Sequence, residues 1–188
     1  MAIEKPTYKI LDKDGSIELR EYAAYIRATV SVTGLSHNNA GNNAFSLLAD
    51  YIFGNNIDRS KIKMTVPVMT EYSNLSTKIA MTAPVTTIHN DNNTYEVSFV
   101  MPSEYTIHTI PRPVNTAVTL HEVPKHRSVA ITFSGRSSED TIHSNTNSIQ
   151  KWIAKNKLTA VSSPSLARYD PPWKPGFMRT NEIIIHVK

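Results

Sequence analysis

Val30-Ser31-Val32-Thr33-Gly34 returns 101 residues later as Ile131-Thr132-Phe133-Ser134-Gly135. The same offset, without a gap, carries Leu19-Arg20-Glu21-Tyr22 onto Leu120-His121-Glu122-Val123. It also carries Leu48, Tyr51, Ile52 and Asn55 onto Ile149, Trp152, Ile153 and Asn156. Apolar positions fall on apolar positions, and the same glycine follows the same extended stretch. The chain therefore reads as a duplication of one supersecondary unit, not as a solenoid.

Each copy reads as strand, strand, helix. Residues 16–34 hold two extended stretches rich in β-branched and aromatic types, with a turn near Ala23–Ala24. After Gly34, Ala40, Ala44, Leu47, Leu48, Tyr51 and Ile52 recur at helical spacing, and Gly54 sits where a left-handed residue ends a helix. In the second copy Ser137 or Ser138 caps a helix opened by Glu139 and Asp140, which suit the positive end of the dipole. Its stripe is Ile142, Ile149, Trp152 and Ile153. Such stripes normally pack on a sheet, and one left partly covered would line a groove. Further strands are expected at 62–72, 78–88, 94–101, 165–170 and 180–188. Prolines 102, 111 and 113 mark a connector, since proline cannot donate in a ladder. The reading is one α+β domain over 1–188, with halves of about 7–101 and 117–188 joined by a Pro-rich connector, 102–116.

Bulk composition narrows the function. A chain of 188 residues can bury a sizeable core without staples. It has no cysteine, which excludes disulfides, thiolate metal sites and cysteine nucleophiles. The formal charge of +4 is spread in short groupings at 59–63, 125–127 and 174–179, not in the clusters of a nucleic-acid binder. No run of apolar residues is long enough to span a membrane, and the N-terminus has no secretory pattern. The expectation is a soluble, cytoplasmic protein without a nucleic-acid or membrane partner.

Lys61-Ile62-Lys63-Met64-Thr65-Val66-Pro67-Val68 is echoed by Lys78-Ile79-Ala80-Met81-Thr82-Ala83-Pro84-Val85. Proline pushes the residue before it out of the helical region, so both copies are expected to be extended, paired as a hairpin across 72–76. With Ser16 through Tyr22, Ala49 through Asn56, Val97 through Pro102, Tyr169 through Pro175 and Arg179 through Glu182, these copies make the chain resemble the SOUL family of haem-binding proteins. The resemblance spans nearly the whole chain. It implies a distorted antiparallel β-barrel flanked by two helices with internal pseudo-twofold symmetry.

It also implies a site for haem or a related tetrapyrrole. Such a ligand needs an apolar slot, cations for its propionates and, optionally, an axial ligand. The family's axial histidine position is Glu21 here, so no axial ligand is carried over. None of the seven histidines is paired at a metal-binding interval; His37, at the start of the first helix, is the nearest candidate, and no metal ligand is assigned. Residues 37–53 contain no Lys or Arg, and Asn42 and Asp50 stand where the family's helix bases are expected. The expected slot is Phe45, Leu48, Tyr51 and Met64. Trp173 of the C-terminal loop offers a flat face beside Tyr169 and Phe177. Lys63, with Lys61, and the loop's Lys174 and Arg179 are the expected cations, Lys174 matching the family's loop lysine.

Non-enzymatic tetrapyrrole binding is the leading reading. A protein-interaction module, its groove taking a peptide or helix, is the first alternative. A small-molecule hydrolase is the second, with Glu21, Glu122, Glu182 and Tyr169 available. Burial of Glu21 or Glu122 in a pocket would favour it, since a general base needs a tuned environment. No catalytic triad order or phosphate-cradling glycine loop is present.

Overall fold

The computed structural model describes residues 4–33, 37–72, 94–170 and 173–188. They form nine strands: β1 Tyr8–Asp14, β2 Ile17–Tyr22, β3 Tyr25–Thr33, β4 Val68–Tyr72, β5 Thr94–Val100, β6 Val118–Val123, β7 His126–Ser134, β8 Ser165–Arg168 and β9 Thr180–Val187. Two helices, α1 His37–Ile52 and α2 Glu139–Lys155, follow β3 and β7, and a 3-10 turn covers Gly176–Met178. All strand pairs are antiparallel, in the order β1-β2-β7-β9-β8-β4-β5-β3-β6, and the sheet curls into a half-barrel.

The duplication governs the register. Ile17 of β2 stands opposite Ile131 of β7, and Val118 of β6 stands opposite Val30 of β3. Ile17 moves onto Val118 by adding the 101-residue offset, and Ile131 moves onto Val30 by subtracting it. Each copy of the repeat therefore gives its first strand, β2 or β6, to the other copy's sheet. The halves meet at β4 and β8, where Thr70 faces Leu166.

Period-two alternation decides what each strand buries. Val129, Ile131, Ile183 and Ile185 point to the outer face and pack with Ile149, Trp152 and Ile153 of α2. Ala28, Val30, Val97 and Phe99 do the same beneath Ala44, Leu48, Tyr51 and Ile52 of α1. Both helices thus cover the convex side and leave the concave side to the alternate residues. Ser138 caps α2, its hydroxyl accepting from the Thr141 N–H, with Glu139 and Asp140 in the first turn. Gly135, after β7, has φ of +108°, a conformation that glycine adopts without a Cβ penalty.

Two details differ from expectation. Strand β1 has an exposed-residue pattern throughout and no buried face to announce it. The stretch 61–67 is irregular, and the strand expected over 62–72 starts only at Val68. The Val66–Pro67 peptide is cis, Val66 N–H donates to Glu4 O, and the Thr65 hydroxyl donates to Val100 O. The second Met-Thr-x-Pro-Val copy, its strand over 78–88 and the proposed hairpin turn lie outside the described residues.

Candidate functional site

The concave face carries a buried charge cluster. Alternation on β2 turns Glu18, Arg20 and Tyr22 inward, opposite the side taken by Ile17 and Leu19. Arg20 sends Nη1 and Nη2 to the two oxygens of Glu182, at 2.9 and 2.8 Å, and Nε to Glu18 at 2.9 Å. Thr132 Oγ1 and Tyr169 Oη also donate to Glu182, at 3.0 and 2.6 Å. Lys13 pairs with Glu18 at 2.9 Å. Buried charges persist only when paired and fully hydrogen-bonded, and here every carboxylate oxygen of Glu182 is occupied. Burial and the adjacent Glu182 carboxylate hold the Tyr169 hydroxyl well above the usual phenol range. Glu182 is charge-compensated and saturated, the opposite of what a general base requires.

Beside this cluster lies a run of rings. Tyr8 and Tyr22 are 5.1 Å apart, Tyr22 stacks on His126 at 5.4 Å, and His126 meets His186 at 4.2 Å. Burial, then the charges of His126 and Arg27, depress His186 to about 4, so its imidazole is neutral at neutral pH. These rings line a cavity of about 70 Å³, which shares Lys5, Pro6, Tyr25 and Val100 with an outer cleft of about 640 Å³.

The corresponding polar pairs recur in the other half, in the open. Ser31 donates to Glu96 at 3.2 Å as Thr132 does to Glu182, and Thr119 meets His121 at 2.9 Å where Glu18 meets Arg20. The signal in the sequence was the inward alternation Glu18-x-Arg20-x-Tyr22. On its own it reads as the wet face of a strand, because only the curl of the sheet buries it.

The residues expected from sequence are distributed as follows. Leu48 and Tyr51 are core, and Tyr51 Oη donates to Pro111 O at 2.6 Å. They form no open slot. Phe45 is 39% exposed, its ring set edge-on against Phe99 at 5.2 Å, and Met64 is 40% exposed. Lys63 is exposed. Val68 of β4 faces Arg168 of β8, so the 61–67 stretch and the 169–179 loop leave the sheet at the same end. In that loop Trp173 is 83% exposed. The Lys174 ammonium is 2.6 Å from Asp170, and Arg179 Nε donates to Lys174 O at 2.8 Å. Lys174 and the Thr180 N–H hold the Asp170 carboxyl below its ordinary range. Glu21, at the family's histidine position, is a surface residue paired with Lys125 at 2.9 Å, and Glu122 is exposed. Among the described residues no group of three or more His, Asp or Glu side chains could hold a metal ion.

The family model described as "SOUL heme-binding protein" matches residues 3–76 and 71–186. The chain belongs to the SOUL family. Together the two matched segments span nearly the whole chain, and the second takes in β5 as well as the second half. Among solved structures, this SOUL chain is similar to the EcmrR C-terminal domain, with 13% identity, TM-score 0.62, and 96% of this chain and 98% of that one covered. It is also similar to EcmrR in a DNA complex, with 12% identity, TM-score 0.64 and coverage of 92% and 57%. A structure called a hydrolase from Listeria innocua matches at 10% identity, TM-score 0.57 and coverage of 95% and 94%. At these identities the likeness is one of fold. No match is found among curated proteins. No helix among the described residues is long and apolar enough to cross a membrane.

Proposed function

We propose that this SOUL chain binds haem or a related tetrapyrrole without turnover and without ligating its iron. The macrocycle lies against the exposed apolar side chains of α1 and of the stretch that returns beside it. The observation that carries this reading is the pair Phe45 and Met64. Both are about two-fifths exposed, and Phe45 is braced against the core by Phe99. A fixed aromatic edge is a ready platform for a flat ring, and its burial by a ligand is favourable at roughly 25 cal/mol per Å².

The polar requirements fit less fully. Lys63 is exposed and suits a propionate, and Trp173, in the loop that leaves from the same sheet end, offers an exposed flat face. Lys174 would have to leave Asp170 to contribute. Glu21, ion-paired at the surface, supplies nothing to iron. A tetrapyrrole held by its face and edge, independent of the metal, is the mode these residues accommodate.

The test is a side-by-side titration of the full chain with haemin and protoporphyrin IX. Affinities within about threefold of one another are expected. A folded chain that shows no saturable uptake of either would end this reading, and strong preference for haemin would end the unligated form of it.

A further inference from the structure

We infer that the outer edge of β6 takes an extended peptide by strand addition, with a lysine or arginine of the peptide set opposite Glu122. No residue of this edge enters the tetrapyrrole reading.

The two copies give the sheet matching runs, β2-β7-β9-β8 and β6-β3-β5-β4. Only the first run is extended, by β1, which pairs along β2 from Tyr8 against Tyr22 to Asp14 against Ile17. The 101-residue offset carries β1 onto residues 109–115, where prolines 111 and 113 cannot donate in a ladder. That segment is engaged elsewhere: Tyr51 Oη donates to Pro111 O at 2.6 Å, and Ile57 N–H to Arg112 O at 2.9 Å. The sheet therefore ends at β6.

The ladder fixes which groups point outward. Met101 N–H donates to Ile26 O, so Ile26 aims its backbone at β5. Alternation then aims Tyr25, Arg27 and Thr29 at β6, against Val123, His121 and Thr119. Leu120 and Glu122 are left aiming their N–H and C=O away from the sheet. Among the described residues no backbone group pairs with these. Thr119, His121 and Glu122 are exposed, and Leu120 is half-buried. Such an edge is a template for an added strand.

Charge names the partner. Glu21, the counterpart of Glu122, has Lys9 opposite on β1, Arg127 opposite on β7, and Lys125 at 2.9 Å. Around Glu122 the offset puts Ile26 in place of Arg127 and Ala24 in place of Lys125. No strand stands there to bring the equivalent of Lys9. Among the described residues Glu122 has no ion pair. A peptide that sets a cation opposite Glu122 and, two positions on, an apolar residue opposite Leu120 completes β6 as β1 completes β2.

The experiment is fluorescence anisotropy of the labelled, capped peptide Ser-Lys-Thr-Ile-Thr-Val-Ser with the full chain near neutral pH. Saturable binding is expected, roughly tenfold weaker when the peptide's lysine is replaced by glutamate. Glu122→Lys should reverse that order and leave haemin uptake unchanged. N-methylation of the peptide's isoleucine, whose N–H faces β6, should weaken binding roughly tenfold. N-methylation of the threonine after it should change little. Absence of saturable binding, equal binding of the two peptides, no reversal in Glu122→Lys, or equal effects of the two N-methylations would each overturn the proposal. Sedimentation of the chain alone should show a monomer; a dimer that the peptide dissociates would assign the edge to a second copy and overturn it too. Failure of haemin to bind, with the peptide result intact, would overturn only the tetrapyrrole reading.

Discussion

Arg20 and Glu182 lie 162 residues apart in the chain and share two parallel hydrogen bonds of 2.9 and 2.8 Å, their side chains 3% and 7% exposed. Removal of the guanidinium alone strands Glu182 and weakens the hold on Glu18. Breaking a buried pair from one side typically costs about 3–5 kcal/mol, while replacing both members by apolar groups costs far less. Arg20→Met should lower stability by about that amount, and the Arg20→Met/Glu182→Leu double variant should recover most of it. Urea midpoints check this; a single variant within about 1 kcal/mol of wild type would show that the pair is not charge-compensating.

Tyr169 contributes one of the four donors on Glu182, at 2.6 Å. Tyr169→Phe keeps the ring and deletes the donor. The expected loss is about 1–2 kcal/mol, because three other donors remain on the carboxylate. A change near zero in urea unfolding would reassign that contact to packing alone.

His186 makes stability depend on pH. Its folded value of about 4 lies below the ordinary 6.5, so between these limits the unfolded chain takes up a proton that the folded chain refuses. Stability therefore falls as pH drops from about 6.5 towards about 4, by on the order of 2–3 kcal/mol from this group. His186→Gln should flatten that segment of the profile. Urea midpoints for both proteins at about pH 7 and about pH 4.5 would show it, and parallel profiles would remove His186 as the cause.

The fold was legible because the two copies align residue for residue, and because the apolar stripes of both helices repeat with them. Leu48 and Tyr51 were misplaced for the same reason they were noticed: a helical stripe says that a face is apolar, not whether a sheet or a ligand covers it. Strand β1 has no buried face, and its partner β2 looks complete without it. The exchange of β2 and β6 between halves is a long-range pairing that local periodicity cannot encode. The cluster of Glu18, Arg20 and Glu182 was not legible, since nothing within one strand reports the curvature that closes over them.

Phe45 is expected to be the largest single contributor to tetrapyrrole uptake. Phe45→Ala should weaken haemin and protoporphyrin IX alike by roughly tenfold, with Met64→Ala a smaller loss. Absorbance titration checks it, and a loss confined to haemin would mean that iron is being coordinated.

Tyr51 provides the contrast, since its hydroxyl serves Pro111 O inside the fold. Tyr51→Phe should cost about 1 kcal/mol of stability and leave porphyrin affinity where it was. Weakened porphyrin binding at unchanged stability would place Tyr51 against the ligand after all.

The reciprocal loan of β2 and β6 makes each copy incomplete by itself. A gene encoding a single copy of the repeat would give a polypeptide whose leading strand has no place in its own sheet. Two such polypeptides, each completing the other about the axis now passing by Thr70 and Leu166, would restore the whole arrangement. In this chain the proline-rich segment 102–116 is the tether that holds the two copies in one molecule.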